Sequence, residues 1–201
     1  MNMKQFTNNI KLSLLRIPLM LGLMVCVCTS YGQSSNSNWK QELTTAVNEF
    51  VDCKSTSDET ELCVRFFGES LTKVYSINDF YSEVSKRYLK MYEITKFLEG
   101  NDQWTELGHA YDPKILAEAQ NAANTNRAAV AVYKDSSTGL GQHVALIIPG
   151  ELQHSGSWGM AVPNTASFLS VQPEKSYTNK ALSYAFRRDM MKDVFIYVRN
   201  N

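Results

Sequence analysis

The chain is predicted to fold as an α+β domain, with N-terminal helices packed on an antiparallel sheet. Two observations carry this. In separate segments between Trp39 and Asn126 apolar residues recur every three or four positions, and from Ala128 onward the apolar runs become short and strand-like. Helical patterns come first and strand patterns later, an order that suits α+β rather than alternating βα units.

Residues 1–33 are expected to lie outside the fold. Lys4, Lys11 and Arg16 are basic, no acid is present, and Ile17 to Cys28 is almost wholly apolar before Thr29-Ser30-Tyr31-Gly32-Gln33. A basic start, a short apolar run and small residues near a cut form the layout of a secretory signal. The run falls short of the roughly 20 apolar residues a spanning helix needs. A lipid anchor on Cys26 or Cys28 is the alternative, although Val25 and Val27 are large for the positions before a lipidated cysteine. The predicted mature chain, 34–201, is the length of one domain with a real core, secreted or periplasmic. Removing three of the 20 bases and none of the 20 acids leaves a formal charge of −3. No basic patch stands out, which argues against a nucleic-acid partner.

Trp39 to Val51 places Leu43, Ala46, Val47, Phe50 and Val51 at helical spacing. The polar stretch 52–61 reads as a loop in which Ser57 or Thr60 caps the next helix, from about Glu61 to Val74. Ile77 to Leu98 predicts a further helix or pair of helices, ended at Gly100-Asn101-Asp102. Trp104 to Tyr111 reads as a loop. Asp112-Pro113 is a cap followed by proline at the first helical position, and that helix continues to Asn126. Strands are expected at Ala128–Tyr133, His143–Ile148, Phe168–Gln172 and Val194–Arg199, with turns at Ser136–Gly139 and Pro149-Gly150.

Cys63 heads an apolar helical run and His143 opens an apolar strand after Gly139-Leu140-Gly141-Gln142. Cysteine peptidases and amidases need such a pair, because a helix N-terminus and a nearby imidazole both favour the attacking thiolate. Two plainer readings stand beside it. With Cys26 and Cys28 in the signal, Cys53 and Cys63 remain in an oxidising compartment, and their ten-residue spacing permits a disulfide. A strand histidine can equally be a polar residue on the wet face. The acidic stretch Asp58-Glu59-Thr60-Glu61 would oppose a thiolate if it lay close. His109 sits in a predicted loop without a supporting pattern. His154, eleven residues after His143, is expected on a returning neighbouring strand. There it could orient the imidazole, with Ser155, Ser157 and Asn164 as rivals. Trp158 is either core or the wall of a groove. No cluster has metal-ligand spacing and no phosphate loop is present, so neither metal nor cofactor is expected.

These residues resemble a known group. A cysteine heading a helix and a later Gly-x-His-Val-Ala-Leu-Ile-Ile-Pro-Gly strand are similar to the NlpC-type and CHAP cysteine amidases of bacterial cell walls. They are more similar still to the amidase effector-like proteins associated with type VI secretion. The segments concerned are Cys63, Trp104 to Leu107, Ala117 to Ala123 and His143 to Gly150, within Leu62 to Val198. The resemblance implies a papain-like fold and hydrolysis of amide bonds in peptidoglycan stem peptides. It assigns Cys63 as nucleophile and His143 as general base, with the backbone N–H of Cys63 and a neighbour as oxyanion hole. The third residue varies in these families; His154 is the first candidate. An immunity or inhibitor protein is a further implied partner. The family chemistry also implies a free Cys63 thiol, against the disulfide. Many relatives carry a small polar residue after the cysteine, where this chain has Val64 and Arg65. The alternative is a non-catalytic secreted binding domain with Cys53 and Cys63 joined.

Overall fold

A computed structural model describes residues 36–56, 60–135 and 141–200. The signal-like segment with Cys26 and Cys28, the Ser57 cap, Asp58-Glu59 and the Ser136–Gly139 turn lie outside the described residues. The chain is α+β, as expected. Helix α1 (Trp39–Thr56) buries Leu43, Ala46, Val47 and Phe50, the stripe that its spacing predicts. A short α2 (Thr60–Cys63) and α3 (Arg65–Tyr75) follow, separated by Val64 alone. Val64 is itself in the right-handed helical region. Helix α3 presents Phe66, Phe67, Leu71, Val74 and Tyr75 to the core.

The expected helix over Ile77–Leu98 forms only in its second half, as α4 (Met91–Gly100). Ser76 ends α3 in a left-handed conformation, φ 57°. Asp79 is then drawn to the sheet: its carboxylate accepts from Trp104 Nε1 at 2.9 Å and pairs with Arg199 at 2.7 Å. Phe80 stacks on Trp104 with centroids 5.6 Å apart. These tertiary contacts override helical periodicity, and the next residues form a small hairpin, β1 (Tyr81–Ser82) with β2 (Arg87–Tyr88).

The predicted loop at Trp104–Tyr111 is instead an edge strand, β3 (Trp104–His109), paired with β10 (Val194–Arg199). Helix α5 (Pro113–Asn124) starts where expected, the Asp112 carboxylate accepting from the Lys114 N–H. The main sheet is antiparallel, in the order β3-β10-β4-β5-β8-β9, with β4 at Ala129–Lys134, β5 at Gly141–Ile147, β8 at Asn164–Ser167 and β9 at Tyr177–Ala181. Val130 to Val132 and Val144 to Ile147 are wholly buried residue after residue, so both faces of these strands are covered. That explains their continuous apolar runs. The strand expected at Phe168–Gln172 lies earlier, at β8. Phe168 leaves the sheet to pack edge-on against Phe50 and Phe67, and Val171 is almost fully exposed. Among the described residues, strands β6 (Gln153–Ser155) and β7 (Met160–Val162) pair only with each other.

Candidate functional site

Cys63 closes α2 and stands two residues before α3 begins, so it precedes the long helix rather than opening it. The chain still places its side chain at the N-terminal end of an eleven-residue helix. There the helix dipole favours negative charge. In the structure, however, Cys63 carries no thiol. It is joined to Cys53 by a disulfide, which corrects the free nucleophile implied by family chemistry. Cys63 is 3% exposed. Cys53, on the last turns of α1, is only partly buried.

His143 lies on β5, and its Nε2 is 2.7 Å from Ser167 Oγ on β8. The registry makes this contact. Ala145 pairs with Ser167, so His143, two residues back along β5, reaches the serine diagonally on the same face. The ring also packs edge-on against Phe186, 5.4 Å away. Burial holds the His143 imidazole down at about 4, so it is neutral at ordinary pH. Some of the side chain remains open to a cavity, yet dense protein surrounds the ring and desolvation sets its value. With Nε2 engaged by Ser167, Nδ1 is the nitrogen left to face a reacting group.

His154 is not brought to His143 by strand pairing. It sits exposed on β6, whose only strand partner among the described residues is β7, while β5 pairs with β4 and β8. Ser157 is exposed, its hydroxyl 3.2 Å from that of Ser155. The Asn164 side chain is used elsewhere: it accepts from Gln153 and donates to the Pro149 carbonyl and to Asn179 Oδ1. Trp158 is core, and its indole N–H donates to the Phe186 carbonyl, supporting the residue that packs on His143. His109 is remote in sequence and role, with Nδ1 on the Lys192 carbonyl and its ring stacked on Tyr111. The ring partner of His143 that the sequence did not disclose is Ser167.

Three cavities that share lining residues lie beside these parts. One of about 230 Å³ is walled by His143, Met91, Ser170, Val171 and Gln172. A narrow one of about 40 Å³ reaches Cys63 between Lys54, Phe67, Phe168 and, again, Met91 and Ser170. The third, about 360 Å³, shares Val64 with the second and is walled by Leu62, Tyr81, Tyr88 and the cations Arg65, Arg87 and Lys90. Arg65 is paired with Glu69, and Arg87 grips Glu93 through two bonds of 2.7 Å. The Arg87 hydrogen bond holds the Glu93 carboxyl down at about 2. Helix α3 is tied to the histidine strand where the buried Tyr75 hydroxyl donates to the Ile147 carbonyl at 2.6 Å. The cysteine helix and the histidine strand therefore have a fixed relation.

Among the described residues, no group of three or more His, Cys, Asp or Glu side chains could hold a metal ion. No helix among them is long and apolar enough to cross a membrane. No protein-family model matches the chain, and no curated protein matches it.

Proposed function

We propose that the protein is a secreted cysteine amidase or endopeptidase of papain-like fold, hydrolysing amide bonds in peptidoglycan stem peptides, and that its dithiol form is the active one. The observation that carries this is the placement of Cys63 and of the His143–Ser167 pair on adjoining cavities that share Met91 and Ser170. In the dithiol form Cys63 attacks the carbonyl carbon and His143 takes the thiol proton through Nδ1. The imidazolium then protonates the leaving amine, and water releases the acyl group by the reverse proton path. Ser167 positions the imidazole. The mature chain would meet its polymer in the periplasm or outside the cell, where an immunity or inhibitor protein could cover the same cavities.

Reduced mature protein is incubated with muropeptides of both common wall chemistries and the products are resolved by mass. Cleavage that is lost in Cys63→Ala and in His143→Ala, with the double variant little worse than either, is the expected result. Unchanged muropeptides across pH, with the thiols shown to be free, would sink the assignment. The disulfide favours a second reading, a non-catalytic binding domain with Cys53 and Cys63 permanently joined. A disulfide that persists under native reducing conditions supports that reading.

A further inference from the structure

We infer that the Cys53–Cys63 bond is a latch on the site, opened by a dithiol reductant that enters at Cys53 and expels Cys63 as the thiolate. The inference rests on the hydrolase reading above.

Access sets the direction of attack. Thiol–disulfide exchange proceeds at the sulfur an incoming thiolate can reach, and the better leaving group is the thiol of lower pKa. Cys53 is the partly exposed half, whereas Cys63 is 3% exposed. Cys63 also has the surroundings of a good leaving group: the N-terminal end of α3 and a cavity that Lys54 lines.

The end of α1 is built to let Cys53 go. The buried stripe of that helix stops at Phe50. Beyond it, Cys53 packs against the core only in part, and Ser55 and Thr56 hold the last turn through local bonds to the carbonyls of Asp52 and Cys53, at the exposed surface. The α1 core can therefore stay packed while its last turn moves. One sulfur of the bond lies on a cavity that shares Met91 and Ser170 with the cavity walled by His143, whose imidazole is engaged by a serine.

The chemistry balances. One thiolate of the reductant attacks Cys53 Sγ, the Cys53–Cys63 bond breaks, and its electron pair leaves on Cys63. The second reductant thiol then attacks the mixed disulfide at the reductant's own sulfur and releases Cys53. The reductant departs as its disulfide, two electrons having passed to the protein. Its two protons end on Cys53 and on Cys63 or His143.

The test uses the oxidised mature chain and a thioredoxin whose second active-site cysteine is serine, which arrests exchange at the mixed disulfide. Peptide mapping by mass is expected to find the trap on Cys53, with Cys63 open to alkylation. With intact thioredoxin and its reductase, muropeptide hydrolysis is expected to rise from nothing, and Cys53→Ser should hydrolyse without reductant. A trap found on Cys63, or a disulfide untouched by thioredoxin under native conditions, overturns the latch whatever Cys53→Ser does. Hydrolysis by fully oxidised protein also overturns it. A trap on Cys53 with Cys63 freed and no hydrolysis leaves the latch standing and removes the amidase reading.

Discussion

The hydroxyl of Ser167 lies 2.7 Å from Nε2 of His143, across two paired strands of the main sheet. This contact fixes which ring nitrogen faces the cavity, because a histidine whose Nε2 is engaged can offer only Nδ1 to a reacting group. Either Nε2–H donates to the serine or the serine donates to Nε2, and the first arrangement leaves Nδ1 unprotonated and able to act as a base.

Ser167→Ala is therefore expected to lower kcat on a defined stem peptide by an amount on the order of 10²-fold, the scale of a small misplacement of a reacting group. KM should change little, and Ser167→Thr should restore part of the rate. His154→Ala, at an exposed position on β6, should leave the rate near that of the parent. Steady-state kinetics on the reduced proteins check both. Equal losses in Ser167→Ala and His154→Ala would return the orienting role to His154.

A second consequence concerns stability and pH. Burial lowers the His143 imidazole to about 4 in the folded protein, from an ordinary 6.5. Between those values the unfolded chain binds the proton more readily, so stability is fully present above about pH 6.5 and is lost as pH falls toward 4. Allowing for the residual exposure of the side chain, about 1–2 kcal/mol should disappear between pH 7 and pH 5. The Glu93 carboxyl, held low by Arg87, contributes with the same sign at lower pH: its stabilisation is present above about 4.5 and fades as pH falls toward 2. Urea denaturation of the oxidised protein at pH 7 and pH 5 tests the first effect, with His143→Gln as control. Identical pH dependence in both proteins would show that His143 is not the group responsible.

The sequence made α1, α5, β4, β5 and β10 legible because each carries its own signal. α1 has a clean apolar stripe, α5 has Asp112-Pro113, and the three strands are continuous apolar runs. What stayed hidden depends on partners far along the chain. β3 alternates poorly because it is an edge strand, and it is a strand only because β10 arrives from the C-terminus. β8 is Asn-Thr-Ala-Ser, small and polar yet buried, and nothing local distinguishes it from a turn. Misplacing β8 is what concealed Ser167. His143 was visible because it leads an apolar strand. The state of Cys63 was not, because spacing allows both a disulfide and a free thiol.

Gly68 marks a tight contact on the cysteine helix. A Cβ at this position would clash with Cδ1 of Tyr88, the ring of β2 that walls the cavity beside Val64. Alanine would gain up to about 1 kcal/mol of helix propensity. The clash outweighs this, so Gly68→Ala is expected to be destabilising by a net of about 1–2 kcal/mol, within the range for overpacked cores. Adding Tyr88→Ala should recover stability relative to Gly68→Ala alone, since the atom that clashes is gone. Chemical denaturation of the three variants decides it. A Gly68→Ala protein as stable as the parent would mean that Tyr88 moves aside freely.

The last prediction joins the two halves of the site through charge. In the oxidised protein burial sets the low His143 value of about 4. Reduction places an ionisable sulfur at the N-terminal end of α3, on a cavity that shares Met91 and Ser170 with that of His143. A thiolate there stabilises the imidazolium, and a neighbouring opposite charge shifts such a group by about 1–3 units. The His143 ring protons, followed by NMR against pH, should therefore titrate near 4 in the oxidised chain and at least a unit higher after reduction. Cys63→Ser supplies a neutral oxygen of similar size and should keep the low value under reducing conditions, whereas Cys53→Ser should show the raised one without reductant. An imidazole that titrates identically in all four samples would mean that sulfur and ring do not act on one another, and the thiolate–imidazole pair would have to be abandoned.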